Sequence, residues 1–173
     1  MMVVETLRGV TELRGVVHIV CSDFSRIWRF DVKTQHRLDE TVVPDLKDPC
    51  DIAACEQTSQ LYVADFEECV WRVSADGADI ERWLPKSPSD AAFKPWKLSV
   101  TSTRLLVTSR DANHLMQFDS GGDELRRVRL PDDMEPQHAV ESPTGTFVVG
   151  HYNTRLYQYQ VEKISLKKFP RYY

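Results

Sequence analysis

An all-β fold of four consecutive four-stranded antiparallel units is what this 173-residue sequence predicts, on three observations. A phrase recurs: VCSDFSRIWRFD from Val20, VADFEECVWRVS from Val63, VTSRDANHLMQFD from Val107 and VVGHYNTRLYQYQ from Val148. Each repeat breaks into short segments of alternating apolar and polar residues separated by turn residues, the period-2 signature of strands. Each repeat also closes on an apolar-proline pair, at Val43-Pro44, Leu84-Pro85, Leu130-Pro131 and Phe169-Pro170. Proline lacks an N–H and is tolerated on an outer edge strand. A repeat of 40 to 45 residues with four strands is one blade of a β-propeller.

The first repeat opens with Val10–Leu13, turns at Arg14-Gly15 and continues through Val16–Val20. The phrase LRGV occurs at both Leu7 and Leu13, and it reads as a coincidence within a hairpin rather than as a shorter repeat. In the second repeat the expected strands are Asp51–Cys55, Leu61–Asp65, Cys69–Val73 and Ile80–Leu84, with turns at Glu56–Ser59 and Ala75–Gly77. The third repeat supplies KLSV, RLLVT, LMQF and LRRVRL in the same order, with Gly121-Gly122 in a hairpin. In the fourth, Tyr157-Gln158-Tyr159 stands where Trp28-Arg29-Phe30, Trp71-Arg72-Val73 and Met116-Gln117-Phe118 stand before it, at intervals of 43, 45 and 41 residues. The expectation is a single propeller domain over residues 1–173, an open or partial ring with blades near 3–44, 45–85, 92–131 and 132–170.

Composition agrees with a folded domain: 42% hydrophobic and 28% charged residues give enough apolar surface for a core. With a net charge of −4 the chain has no global field for phosphate backbones, and DNA binding is not expected. The obvious basic run, Lys163, Lys167, Lys168 and Arg171, follows the last acidic residue, Glu162. Neither a basic-apolar leader nor an apolar run near 18 residues occurs, so the expectation is a cytoplasmic protein with no membrane partner. The spacing of Cys21, Cys50, Cys55 and Cys69 contains no C-x2-C pair. Reduced, partly buried thiols are expected, with a Cys50–Cys69 bridge as the alternative.

Pro49-Cys50-Asp51-Ile52 followed by Leu61-Tyr62-Val63-Ala64-Asp65 resembles the NHL repeat, whose blades open on a Pro-x-x-apolar phrase and run into an apolar-tyrosine-valine-alanine-aspartate strand. Pro95-Trp96-Lys97-Leu98 with Leu105–Ser109 is the next match, and Pro136-Gln137-His138-Ala139 with Phe147–Gly150 is looser. The resemblance spans nearly the whole chain and extends to the related YWTD and gluconolactonase-like propellers. It implies a fold, and a ring that mostly has six blades, which at this repeat length needs about 258 residues. About two blades are then absent. Three explanations stay open: a piece of a longer protein, pairing with other blades in trans, or a compact four-bladed ring.

In a blade meander, the loops from strand two to strand three share a face with the connections between blades, and loops on a rigid scaffold carry function. On this frame the face is built from Asp23–Arg26, Asp65–Glu68, Ser109–Asn113 and Gly150–Arg155. Phe24, Phe66, Trp96 and Tyr152 are its aromatic residues, with Arg26, Arg110, His138 and His151 beside them. Aromatic and arginine side chains dominate interface energetics, so this group is the candidate binding surface. Phe66 and Trp96 also suit packing between blades. Asp65 closes the acidic loop Asp65-Phe66-Glu67-Glu68, and the reading preferred over a cation site is that its carboxylate accepts from turn N–H groups. Trp28, Trp71 and Trp83 read as blade-packing residues.

No G-x-S-x-G, P-loop or dinucleotide fingerprint is present, and no catalytic residue, cofactor or metal is expected. The function that follows is a non-catalytic module or scaffold recognising protein or peptide. Two alternatives accompany it: a metal-dependent lactonase-like hydrolase and a single-stranded RNA-binding propeller. The mixed charge of the face makes RNA the weaker partner. Self-association through uncovered terminal blades is a further expectation.

Overall fold

The computed structural model describes residues 6–66, 68–85, 94–109 and 113–164, and every element among them is a β-strand. Blade 1 holds β1 (Leu7–Leu13), β2 (Val16–Cys21), β3 (Arg26–Asp31) and the short β4 (Thr41–Val42). Blade 2 holds β5 (Pro49–Cys55), β6 (Gln60–Asp65), β7 (Cys69–Ser74) and β8 (Ile80–Leu84). In blade 3 are β9 (Pro95–Thr101), β10 (Arg104–Ser109), β11 (His114–Phe118) and β12 (Glu124–Arg129). Blade 4 has β13 (Met134–Glu141), β14 (Phe147–Asn153) and β15 (Gln158–Ile164). Its expected outer strand, ending at Phe169-Pro170, lies outside the described residues. All sheets are antiparallel meanders in chain order.

The two copies of LRGV do different work. In the second, Arg14 and Gly15 both take positive φ, 53° and 78°, as a two-residue type I′ hairpin between β1 and β2 requires. In the first, Gly9 lies against blade 2. A Cβ there would stand 2.8 Å from the Ile52 nitrogen and 3.0 Å from the Asp51 Cα, so only glycine lets β1 approach β5 this closely.

The four innermost strands share one irregularity. A register shift interrupts each pairing at its start, between Leu7 and Gly9, Pro49 and Asp51, Pro95 and Lys97, and Pro136 and His138. This repeated bulge gives a residue-by-residue alignment of the blades and corrects the fourth repeat. Val107 pairs with Met116, and the equivalent Val149 pairs with Glu162, not with Tyr157. The slip arises because the β14–β15 hairpin is longer, adding the pairs Tyr152–Tyr159 and Asn153–Gln158.

The apolar core is divided into three seams between neighbouring blades. Leu13, Val20 and Ile27 of blade 1 meet Ile52, Val63 and Trp71 of blade 2. Tyr62, Ala64 and Val70 on the other side of blade 2 meet Leu98, Val107 and Met116 of blade 3. Leu106, Leu115 and Val128 then meet Ala139, Phe147 and Val149 of blade 4. Every seam has the same polarity, with the second strand of one blade against the first strand of the next: β2 on β5, β6 on β9, β10 on β13. The ring is not closed, and among the described residues no packing of comparable extent joins β13 back to β1.

Candidate functional site

Backbone hydrogen bonds tie the strand-two-to-three loops to the interblade connections and so define one loop face. Val43 N donates to Ser25 O, Phe66 N to Asp48 O, Leu130 N to Asn113 O and Thr154 N to Asp133 O. The residues expected on this face divide into three groups. Phe24 lies in the β2–β3 loop, half-buried, edge-on to Trp28 at 6.2 Å between centroids. Arg26 opens β3, with its guanidinium 5.9 Å from the Phe24 ring and 5.7 Å from Trp28. Phe66 follows β6 and meets Trp96 of blade 3 edge to face at 5.2 Å, both rings packed against the seam between blades 2 and 3. Tyr152 sits near the end of β14 against Tyr159, also at 5.2 Å. Arg110 lies outside the described residues.

Asp65, His138 and His151 lie within strands, as Arg26, Trp96 and Tyr152 do. Asp65 is buried at the end of β6, where it accepts from Asp48 N at 2.8 Å, Lys47 N at 3.1 Å and the Trp71 indole N–H at 3.2 Å. This carboxylate organises the connection from blade 1 to blade 2. His151 lies within β14 and is buried, its Nε2 3.6 Å from Glu162 Oε1. His138 is exposed but belongs to the innermost strand β13. The loop expected over Gly150–Arg155 is displaced to the turn after Asn153, whose Oδ1 accepts from Arg155 N and Leu156 N.

Two arrangements were not read from the sequence. On blade 1, Arg37 stacks on Trp28 at 3.8 Å, and Glu40 bridges Arg37 and Arg26. No period links Arg37 to Trp28, so the pattern carried no signal for it. The second is a polar hub at the ring centre, where the bulge position holds Gly9, Asp51, Lys97 and His138 in successive blades. Lys97 Nζ donates to Cys50 O at 2.6 Å and to Arg8 O at 3.2 Å, and lies 3.7 Å from Asp51 Oδ1. Asp51 Oδ2 accepts from Leu98 N at 2.8 Å. Burial raises the Asp51 pKa, opposed by the Leu98 N–H and the Lys97 ammonium. The Pro-x-(Asp/Lys/His) phrases were the available signal for this hub.

All four cysteines are buried, and none is in a disulfide. Burial pushes the Cys50 and Cys69 thiols up to about 12, and Cys50 Sγ donates to Trp96 O across a seam. His18, buried in β2, is pushed down to about 4 by desolvation and then by the neighbouring Arg29 charge. Among the described residues no group of three or more His, Cys, Asp or Glu side chains is placed to hold a metal ion, and no helix is long and apolar enough to cross a membrane.

No family model matches the chain, and no curated protein matches it. Solved structures do. A chain of Kuenenia stuttgartiensis hydrazine synthase superposes with a TM-score of 0.75 at 18% identity over 96% of this chain and 49% of that one. A chain of the nidogen/laminin complex gives 0.74 at 12% identity over 92% and 60%. Virginiamycin B lyase from Staphylococcus aureus gives 0.68 at 16% identity over 90% and 55%. The likeness is one of fold. The chain is a four-blade β-propeller arc, and it spans about half the length of the solved propellers it matches.

Proposed function

We propose that this chain is a non-catalytic binding module that recognises a protein or peptide through the loop face of its blades. The observation that carries the reading is the Phe66–Trp96 pair. Two half-buried rings from adjacent blades are fixed edge to face, on a backbone anchored by the Phe66 N–Asp48 O bond of 2.9 Å. Aromatic groups already held in place lose little entropy on binding and form the anchors of protein interfaces. Phe24, braced by Arg26 and Trp28, extends the same face onto blade 1. Two ion pairs lie on this face among the described residues, Lys47 with Glu68 at 2.6 Å and Arg155 with Asp133 at 3.4 Å. Such a surface suits a protein better than a phosphate backbone, which needs an excess of cations.

A catalytic reading draws on the likeness to virginiamycin B lyase and on Asp51, Lys97 and His138 at equivalent places of three innermost strands. The Lys97 ammonium, however, is directed at two carbonyls and a carboxylate of neighbouring blades, which is a structural use.

The test is a peptide-display selection against the folded chain, followed by titration of the enriched peptide. Phe24→Ala and Phe66→Ala are each expected to weaken binding by about tenfold or more. Lys33→Ala, in the β3–β4 turn on the opposite face, is expected to leave it unchanged. Affinity that survives both loop-face variants, or that falls in Lys33→Ala, overturns the proposal.

A further inference from the structure

Among the described residues, the two outer flanks of the arc carry the two halves of one seam. Residues that face the preceding blade occupy equivalent places throughout: Val10, Ile52, Leu98 and Ala139 each follow the bulge of an innermost strand. Ile52, Leu98 and Ala139 are buried, whereas Val10 is 57% exposed. Residues that face the following blade are Ile27, Val70, Leu115 and Val161, each one place before the residue aligned with Trp71. The first three are buried, whereas Val161 is 73% exposed. Both valines are apolar residues at seam positions that, among the described residues, no neighbouring blade covers.

The polar part of the seam is complementary as well. Between blades 3 and 4, Gln117 Nε2 donates to Glu141 Oε2 at 2.6 Å, with Arg104 at 3.5 Å from the same carboxylate. The place of Gln117 is taken in blade 4 by Lys163, and the place of Glu141 is taken in blade 1 by Glu12. Both are exposed, and the Oε1 of Glu12 accepts a local bond from Gly15 N. A lysine therefore waits on one flank where a glutamate waits on the other. Among the described residues they lie on opposite outer flanks of an arc that does not close, so they do not meet within the arc.

We infer that a second copy of this chain docks head to tail, blade 4 of each copy against blade 1 of the other, closing a two-chain ring. Each of the two new seams would repeat the existing polarity, β14 on the partner's β1. The matched solved chains are close to twice the span of this one, with 49%, 60% and 55% of their lengths covered, so two copies reach the size of a complete propeller. Because the contact is heterologous, closure after two copies separates a ring from an open filament.

Analytical ultracentrifugation of the full 173-residue chain tests this. The expected species is a dimer of the 20.0 kDa chain that does not grow with concentration. Val10→Glu and Val161→Glu, each at a site exposed within one chain, are expected to raise the dimer dissociation constant by 100-fold or more, on the order of 3 kcal/mol. Each seam needs one flank of each kind, so an equimolar mixture of the two variants retains one intact seam and is expected to form a heterodimer, which misfolded variants cannot do. Lys163→Glu is expected to weaken the dimer and Glu12→Lys to restore it. A chain that stays monomeric at 100-fold above the working concentration overturns the inference. So do assemblies that lengthen with concentration, or a dimer indifferent to both valine variants.

Discussion

Cys21 and Asp65 occupy the same place in consecutive blades, and only Asp65 gives its blade's tryptophan an acceptor. The Trp71 indole N–H reaches Asp65 Oδ2 at 3.2 Å, while the equivalent Trp28 Nε1 is buried without one. The carboxylate also collects the Lys47 and Asp48 amides, so three donors from two segments converge on one side chain.

Replacing Asp65 by Ala removes the acceptor of all three donors, the Trp71 indole in a buried place and the two amides in a partly buried one. The expected cost is about 2–4 kcal/mol, read as a lower midpoint in urea unfolding. Asp65→Asn, which keeps one acceptor oxygen, should lie between the variant and the parent.

Gly9→Ala sets a methyl group against the backbone of Asp51 and Ile52, neither of which is a flexible side-chain end. Parting β1 from β5 is expected to lower stability by about 1–3 kcal/mol. Gly15→Ala instead meets open space but forces an L residue to hold a φ of 78°. Thermal unfolding of the two variants compares close packing with backbone strain at two copies of the same tetrapeptide.

Acid should destabilise the fold through His18. Its folded pKa, about 4, lies below the ordinary 6.5, so between these values the unfolded chain binds the extra proton and stability falls as pH falls. The full effect is on the order of 3 kcal/mol. His18→Leu should flatten the pH dependence of the melting temperature between pH 6.5 and 4. An unchanged slope in that variant would falsify the assignment.

Thiol chemistry should be silent in the native state. All four cysteines are buried, and burial holds Cys50 and Cys69 protonated to about pH 12, so the nucleophilic thiolate is scarce. Titration with a disulfide reagent at neutral pH should be slow on the folded chain and should reach four thiols per chain in denaturant.

Blades 2 and 3 were legible because turn residues and apolar alternation agree there: the expected Asp51–Cys55 and Ile80–Leu84 lie within β5 and coincide with β8. Blade 4 misled because Tyr157-Gln158-Tyr159 alternates just as Trp71-Arg72-Val73 does. Hairpin length, set by the Asn153 side-chain oxygen Oδ1 and a positive φ at Tyr157, decided the register instead. His151 hid for a related reason. Its place holds Cys21, Asp65 and Ser109 in the other blades, and no common chemistry marks it as interior. The Arg37 stack on Trp28 and the reach of Lys97 are through-space contacts, which no pattern along the chain records.

In a linear array of repeats each unit holds only its neighbours, and fraying from the two ends is independent. Lys97 breaks that rule by carrying blade 3 to the Arg8 carbonyl, past blade 2. Loss of the first blade therefore loosens the third, and the first three should open as one cooperative block. Among the described residues the fourth blade packs on the third, β13 against β9 and β10, and amide exchange should register its opening as the earlier event.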